Sequence, residues 1–242
     1  GGVSKDHLSS MNLDFSREER ENVLKNFQII SESIGFSHED LVFSHQVHKT
    51  NIRLVTDKDK GKGIIKERDF HEIDGLITNS PGLALVTFYA DCVPLYFVDT
   101  KNKAIGLSHS GWRGTVGKIG KKTVASMKEE FGTSPKDIVA LIGPSICVDC
   151  YEVSEDVANE FYNIFTKDQC RDILYKKENN KYQLDLWKAN YYILLNAGIP
   201  AENIHTSGVC TACNHELLFS HRASKGMRGS LAAFLTIKNN ID

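Results

Sequence analysis

Apolar residues recur along the chain with two spacings, and each spacing predicts one type of element. Over residues 23–34 they come at every third or fourth position, which predicts a helix that Gly35 ends. Ser16 and Glu19 have the spacing of a capping box and are expected to begin this helix. Further helices are predicted at residues 154–165, 167–174 and 186–197, and another beginning near Thr115 and running to Phe131.

Short runs rich in β-branched and aromatic residues, bounded by turn residues, predict strands. They fall at residues 41–47, 52–56, 73–78, 83–89, 94–99, 104–108, 138–142, 204–209 and 231–237. No internal repeat, low-complexity linker or clear boundary interrupts this order of strands and helices. The sequence therefore predicts a single α/β domain over residues 1–242 with mixed strand order.

Composition excludes several classes of protein. The chain has 242 residues and a formal net charge of -2, so no overall field draws it to nucleic acid or to an anionic membrane. Its longest apolar stretch, residues 83–98, contains Asp91 and Pro94 and has the composition of strands, so no transmembrane helix is expected. Six cysteines are too few for a disulfide scaffold, and no signal peptide is present, so we expect a reduced, cytoplasmic protein.

Four of these cysteines form two pairs with Cys-x-x-Cys spacing, Cys147 with Cys150 and Cys210 with Cys213. Four such thiols can hold a structural zinc ion, but the segment between the pairs is much longer than the usual linker of these sites. No histidine or cysteine cluster completes either pair. We therefore expect buried or incidental thiols at these positions rather than metal ligands.

Reactive side chains stand at the ends of three predicted strands. Cys92 precedes one strand, His109 follows another, and His48 ends a third, so all three can converge at one edge of a sheet. Two imidazoles and a thiolate can bind Zn²⁺ and leave its fourth position open. Two other interpretations stay open: Cys92 as a nucleophile with His109 as its base, or a buried thiol and two structural histidines.

The segment SHSGWRGT, residues 108–115, carries a second chemical signal. It has the order strand, glycine-containing turn, helix, and a helix N-terminus with Arg113 beside it suits a phosphate or carboxylate. Gly111 and Gly114 allow close approach of the backbone. The alternative is a helix cap in which Trp112 anchors the core.

Several motifs occur together in a fixed order along the chain. They are SHQVH, TFYADCVPLYFVD, GLSHSGWRGT, IGPSICVDCYEV and CTACNHELLFSHRASKGMRG. With the opening GGVS and the later MNL, they make nearly the whole chain resemble the YfiH-like laccase-domain family. This family is also named the multicopper polyphenol oxidase family and contains bacterial purine nucleoside phosphorylases. Two motifs depart from its pattern: Lys49 stands in place of glycine, and the C-terminal motif reads Ser220-His221-Arg222-Ala223 in place of serine-tyrosine-arginine-arginine.

The resemblance implies a fold and a metal site. The fold would have layered sheets with flanking helices, similar to the catalytic domain of bacterial cytotoxic necrotizing factors, with a further strand preceding Gly1. His48, Cys92 and His109 would bind one zinc ion. The substrates implied are a purine nucleoside and phosphate, which yield the base and ribose 1-phosphate, and some members also deaminate adenosine or phosphorolyse methylthioadenosine.

Other roles remain open at this point. Asp91 is the candidate general acid or base of the reaction, or a structural carboxylate beside Cys92. Copper-dependent oxidation of polyphenols is an alternative activity, although the chain has no His-x-His pair, and Cu²⁺ can bind the same three side chains. A Cys–His hydrolase is a further alternative. A role without catalysis is disfavoured because the triple is intact, and we expect a monomer or homodimer.

Overall fold

Strands with apolar side chains on both faces form the centre of the protein. The computed structural model describes residues 1–238. Its strands in that range are β1 (Leu41–Phe43), β2 (Ile52–Leu54), β3 (Gly75–Thr78), β4 (Ala84–Tyr89), β5 (Val93–Asp99), β6 (Ala104–Ser110), β7 (Ile138–Ile142), β8 (Glu152–Ser154), β9 (Leu174–Lys176), β10 (Lys181–Leu184), β11 (Ile204–Thr206) and β12 (Leu231–Thr236). The α-helices are α1 (Arg20–Ile34), α2 (Trp112–Val116), α3 (Ile119–Phe131), α4 (Glu155–Tyr162), α5 (Lys167–Ile173) and α6 (Leu186–Asn196).

The strands form one large and two small sheets. The large sheet has the order β11-β7-β5-β6-β3-β2, with antiparallel pairs at its centre and a parallel pair at each edge. A second sheet has the order β1-β4-β12, and a third, antiparallel, has the order β8-β10-β9. In the large sheet Pro94 pairs with His109, so the beginning of β5 lies beside the end of β6.

The large sheet and the β1-β4-β12 sheet pack face to face, and successive side chains of β4 point alternately into the core between them and into a second core. Leu85 of β4 and Leu107 of β6 lie in the same core cluster between the sheets. The intervening residues of β4, such as Val86, turn outward to a second cluster that contains Phe27 of α1. On the far side of the large sheet, Phe97 packs with helices α3 to α6. The layers therefore run helix, sheet, sheet, helices, and the predicted mixed α/β fold is confirmed.

Three local predictions differ from the structure. The capping box before α1 does not form, because the Ser16 hydroxyl donates to Asp14 Oδ1 (2.6 Å) and Glu19 caps the helix without a side-chain bond. The helix predicted from Thr115 begins three residues earlier and breaks at Lys118, whose backbone is left-handed. Strands β8, β9 and β10 were not predicted, because they are only three or four residues long and largely polar.

None of the helices within residues 1–238 combines the length and the apolar character needed to cross a bilayer.

Candidate metal centre

The ends of neighbouring strands bring the three predicted ligands together. Cys92 immediately precedes β5, His109 is the penultimate residue of β6, and His48 lies in the loop between β1 and β2. One ligand atom from each lies within 4.8 Å of the others, and Cys92 Sγ is 4.0 Å from His48 Nε2. The convergence expected from strand ends therefore occurs, and it joins these three residues into one cluster.

A buried aspartate, Asp74, orients this cluster and was not predicted. It directly precedes β3 and is 0% exposed. Its Oδ1 lies 2.9 Å from His109 Nδ1, and because a carboxylate accepts, Nδ1 carries the proton. Nε2 of His109 is thereby left as the ligand atom. The only sequence signal for Asp74 is a charged residue inside the apolar run of residues 73–78.

The same carboxylate holds the loop that carries His48. The backbone N–H groups of Val47, His48 and Lys49 donate to its two oxygens at 3.0, 2.9 and 3.0 Å. Residue 48 has a positive φ of 61°, so these three bonds hold a backbone conformation that non-glycine residues seldom adopt. Asp74 therefore positions two of the three ligands at once.

Charge interactions inside the cluster favour the thiolate. Burial alone would raise the pKa of the Cys92 thiol, but the charge of His109 and the hydrogen bonds from both histidines lower it to about 6. Burial would lower the pKa of His109, but the Cys92 charge and the bond to Asp74 raise it to about 9. Burial also acts against ionisation of Asp74, yet the bonds from His109 and Val47 leave its pKa lowered.

The cluster is open on one side. His109 is 3% exposed and Cys92 is half-buried, whereas His48 is exposed. Two nitrogen atoms and one sulfur atom suit Zn²⁺, and also copper, at ligand distances of about 2.0–2.3 Å. Three protein ligands with one solvent-facing side leave a coordination position for a substrate. The residues therefore fit a metal ion in an open rather than a closed site.

Gly111 packs directly against the cluster, where a side chain would crowd two of the three ligands. A Cβ atom at this position would lie 3.0 Å from Cys92 Sγ and 3.1 Å from His48 Cδ2. Its φ of -70° is available to any residue, so the close approach to the ligands, and not backbone strain, is what requires glycine.

Replacing Gly111 by alanine should therefore lower metal occupancy of the cluster several-fold with little loss of stability. The added methyl group pushes on the thiol and on the His48 ring, and the helix that follows is left intact. Metal content by elemental analysis and thermal unfolding measure the two effects. Gly120→Ala is the matched control, since its Cβ would meet Leu194 Cδ2 at 3.0 Å in the helix layer. Equal metal loss in both variants would contradict a local effect.

Asp91 connects the cluster to two distant loops. Its Oδ1 accepts from the Thr211 hydroxyl and its Oδ2 from the Arg222 backbone N–H, both at 2.7 Å. Its carbonyl oxygen accepts from Ile146 N at 3.0 Å. The residue is buried and has a φ of 86°. These contacts favour a positioning role for Asp91, next to Cys92, over the proton-transfer role that the sequence also allows.

Arg113 lies on the short helix α2, which Gly111 precedes. Its guanidinium carbon is 4.2 Å from the centre of the Trp112 ring, and the residue is exposed. Trp112 itself is half-buried against the helix layer, as the core-anchor alternative expected. Stacking on Trp112 thus restrains the arginine donors two residues beyond Gly111, which approaches the cluster closely.

The two Cys-x-x-Cys pairs meet in space, contrary to the expectation of incidental thiols. Their sulfur atoms all lie within 4.8 Å of one another. The cluster contains Cys147, Cys150, Cys210 and Cys213, which are reduced. Local spacing could not reveal this, because the loops that carry the pairs are joined by the pairing of β7 with β11.

Fold and site together define a layered α/β protein with an open His₂Cys cluster at one end of its central sheet. A family model described as "Multi-copper polyphenol oxidoreductase laccase" matches residues 1–238, and the chain belongs to this family. The resemblance inferred from the motifs is therefore confirmed.

Relatives and solved structures agree with this assignment. Purine nucleoside phosphorylase YlmD of Bacillus subtilis is 35% identical over 98% of this chain and 86% of its own length. A purine nucleoside phosphorylase of Bacteroides thetaiotaomicron is 38% identical over 92% of this chain and 83% of its own. The crystal structure of YfiH from Bacillus licheniformis superposes with a TM-score of 0.94 at 33% identity, covering 98% and 90% of the two chains. YlmD from Geobacillus stearothermophilus gives 0.92 at 35% identity, covering 99% and 89%.

Proposed function

We propose that the protein is a zinc-dependent purine nucleoside phosphorylase. It cleaves adenosine, inosine or guanosine with phosphate and releases the base and ribose 1-phosphate. The open cluster of His48, Cys92 and His109, oriented by Asp74, is the observation that carries the proposal. The names of the Bacillus and Bacteroides relatives supply the substrate class.

Different side chains at this site bind the metal, orient its ligands and position the surrounding loops. A zinc ion held by the three ligands would supply a Lewis acid with one position open to substrate. Asp74 keeps the proton of His109 on Nδ1 and fixes the loop of His48, so the ligands need not reorganise when substrate arrives. Asp91 directly precedes Cys92, and its hydrogen bonds fasten the loops that contain Ile146 and Thr211 next to the cluster.

Phosphorolysis forms a bond between a phosphate oxygen and C1′ of ribose while the bond from C1′ to the purine nitrogen breaks. The electron pair leaves with the purine, which takes up the proton that hydrogen phosphate gives up. The exposed Arg113 fork, stacked on Trp112, suits the phosphate because it can donate two parallel hydrogen bonds. We assign Arg113 to the binding of phosphate.

Tyr151 offers a neutral donor in the same region. Burial raises the pKa of its phenol, the charges of Cys92 and Asp91 raise it further, and Arg222 and Arg113 act in the opposite direction. Geometry places Tyr151 near the cluster, because the Arg222 guanidinium carbon lies 5.2 Å from its ring centre and the Arg222 backbone N–H donates to Asp91, beside Cys92. A phenol that keeps its proton can donate a hydrogen bond to a hydroxyl or base of the nucleoside.

The side reactions use the same site. Deamination of adenosine replaces the amino group at C6 of the purine with oxygen from water and releases ammonia, a reaction typical of zinc sites. Methylthioadenosine differs from adenosine at the 5′ position of ribose, so its phosphorolysis needs no new chemistry at C1′. We include both as secondary activities of the proposed enzyme.

Copper-dependent oxidation of phenols is the second candidate, because the family carries that description. A multinuclear copper centre uses many histidines, and within residues 1–238 one metal-capable cluster contains histidine. A single copper ion at that cluster is the remaining form of this candidate. A Cys–His hydrolase would use Cys92 without metal, as a nucleophile.

Metal analysis and product analysis of one preparation separate these activities. The protein is purified, its metal content is measured, and inosine or adenosine is supplied with and without phosphate. Phosphate-dependent release of ribose 1-phosphate supports the proposal, and adenosine converted to inosine without phosphate supports the deaminase activity. Oxygen uptake with a phenol that requires copper would replace the proposal with the oxidase. Turnover of an ester or amide that thiol alkylation stops would replace it with the hydrolase.

Arg113→Ala is expected to raise KM for phosphate by about 10–100-fold, the effect of losing hydrogen bonds to a charged group. Arg113→Lys should fall between this variant and the wild type, since lysine keeps the charge but lacks the fork. Metal content and KM for the nucleoside should change little. Lys118→Ala is the control, because Lys118 is an exposed cation just beyond α2. A rise in KM for the nucleoside alone would contradict the assignment.

A further inference from the structure

We propose that the four-cysteine cluster is a second, structural zinc site, separate from the open His₂Cys cluster. Its ligands are Cys147, Cys150, Cys210 and Cys213. All four positions are thiols, so the site would be closed, with no position left for substrate. Such a site contributes to folding and not to the reaction.

The distances between the sulfur atoms fit a tetrahedral zinc ion. Cys213 Sγ lies 3.5 Å from Cys150 Sγ and 3.9 Å from Cys147 Sγ. With zinc–sulfur distances of about 2.3 Å, a tetrahedron has sulfur–sulfur edges of about 3.8 Å. These two distances bracket this value, and every other sulfur–sulfur distance in the cluster is at most 4.8 Å.

Backbone donors support charged sulfur at the centre of the cluster. The N–H groups of Cys147 and Cys213 both donate to Cys210 Sγ at 3.3 Å. Donors aimed at a ligand sulfur stabilise its thiolate form and fix its orientation, as outer contacts of metal sites commonly do. One donor, Cys147 N, comes from the other loop and one, Cys213 N, from the loop of Cys210 itself, so the Cys210 sulfur is held from both loops.

The fold explains why pairs 60 positions apart in the chain can share one ion. One pair follows β7 and the other follows β11, and these two strands are parallel neighbours at the edge of the large sheet. Their carboxyl ends therefore point the same way. The loops stay in contact past the strands, because Ser145 N donates to Val209 O and Thr211 N donates to Ser145 O.

The four-cysteine cluster lies at the beginning of a long irregular loop. Residues 207–230 contain no α-helix and no strand of a sheet, which is long for a loop that packs on a domain. Thr211 lies between Cys210 and Cys213 in the chain and, with Arg222, holds the carboxylate of Asp91. A zinc ion at the start of this loop would keep these contacts in register. The structural zinc ion would thus stabilise the contacts of Asp91, which directly precedes Cys92 of the open His₂Cys cluster.

The test is the zinc stoichiometry of the full chain, of three variants and of one control variant, each purified after growth with added zinc. The wild type should contain two zinc ions per chain. Cys150→Ser/Cys213→Ser should contain one, Cys92→Ser should contain one, and the combination of all three substitutions should contain none. Cys170→Ser is the matched control, since Cys170 is a buried thiol outside both clusters, and it should retain two.

A measurement on the wild type decides the matter where a variant fails to fold. Replacement of zinc by cobalt should give the strong visible and charge-transfer absorption of four thiolates around the ion, and chelation should abolish it. One metal ion per chain in the wild type, unaffected by substitution at Cys150 and Cys213, would overturn the proposal. So would a disulfide between these two residues in the unreduced wild type, detected by mass spectrometry.

Discussion

Cys92→Ser is expected to empty the open metal cluster and to lower kcat/KM for nucleoside phosphorolysis by at least ~10³-fold, about 4 kcal/mol of transition-state stabilisation. A serine hydroxyl stays protonated at neutral pH and is a poor substitute for a thiolate ligand. The two histidines alone, one of them exposed, do not hold zinc tightly. Elemental analysis and the phosphorolysis assay measure the two losses.

A cysteine-to-serine substitution at a different buried thiol separates the loss of metal from a general loss of stability. Cys170 lies in α5, within the helix layer, and Cys170→Ser should leave both metal content and activity intact. Phosphorolysis at the wild-type rate by metal-free Cys92→Ser protein would show that the metal is incidental. Complete loss of activity with metal still bound would instead support Cys92 as a nucleophile.

Asp74→Asn is expected to weaken zinc binding by about 10–100-fold, the usual effect of removing a partner that orients a ligand. The side chain keeps its shape, but the amide group replaces one of the oxygens that accept from Val47, His48 and Lys49. Leaving such donors without an acceptor costs about 1–3 kcal/mol of stability. Competition with a zinc chelator and denaturant unfolding measure the two changes.

Asp99 provides a control with matched chemistry at the opposite end of β5. It is 1% exposed and its carboxylate accepts three hydrogen bonds, from Lys101 N, Asn102 N and Asn102 Nδ2. Asp99→Asn should cost similar stability and leave zinc affinity unchanged. If both variants lost zinc to the same extent, the effect would come from lowered stability, and Asp74 would have no special part in orienting the ligands.

Strand ends could be located from the sequence, and so could the ligands placed on them. Cys92 and His109 stand beside apolar runs, and antiparallel pairing of those runs was enough to bring them together. Asp74 could not be found in this way. It looks like an ordinary residue of the run over residues 73–78, and its importance comes from burial against a loop 25 to 27 positions earlier in the chain.

The cysteine pairs show the same limit more strongly. Their spacing within each pair was visible, but their meeting depends on β11 adding to the sheet beside β7, with helices α4 to α6 between them in the chain. Hydrophobic periodicity reports which residues are buried and gives no strand order. The small sheet of β8, β9 and β10 was missed for a related reason, since few apolar residues mark strands that pair mainly with one another.

The turn between β5 and β6 lies at the other end of the same ladder that carries Cys92 and His109. Seven paired residues separate the two ends, a distance of about 20 Å. Lys101, Asn102 and Lys103 in that turn are exposed. An immobilisation linker or a fluorescent label attached at Lys103 would therefore leave the open cluster facing the solution, and this turn suits surface-based binding measurements.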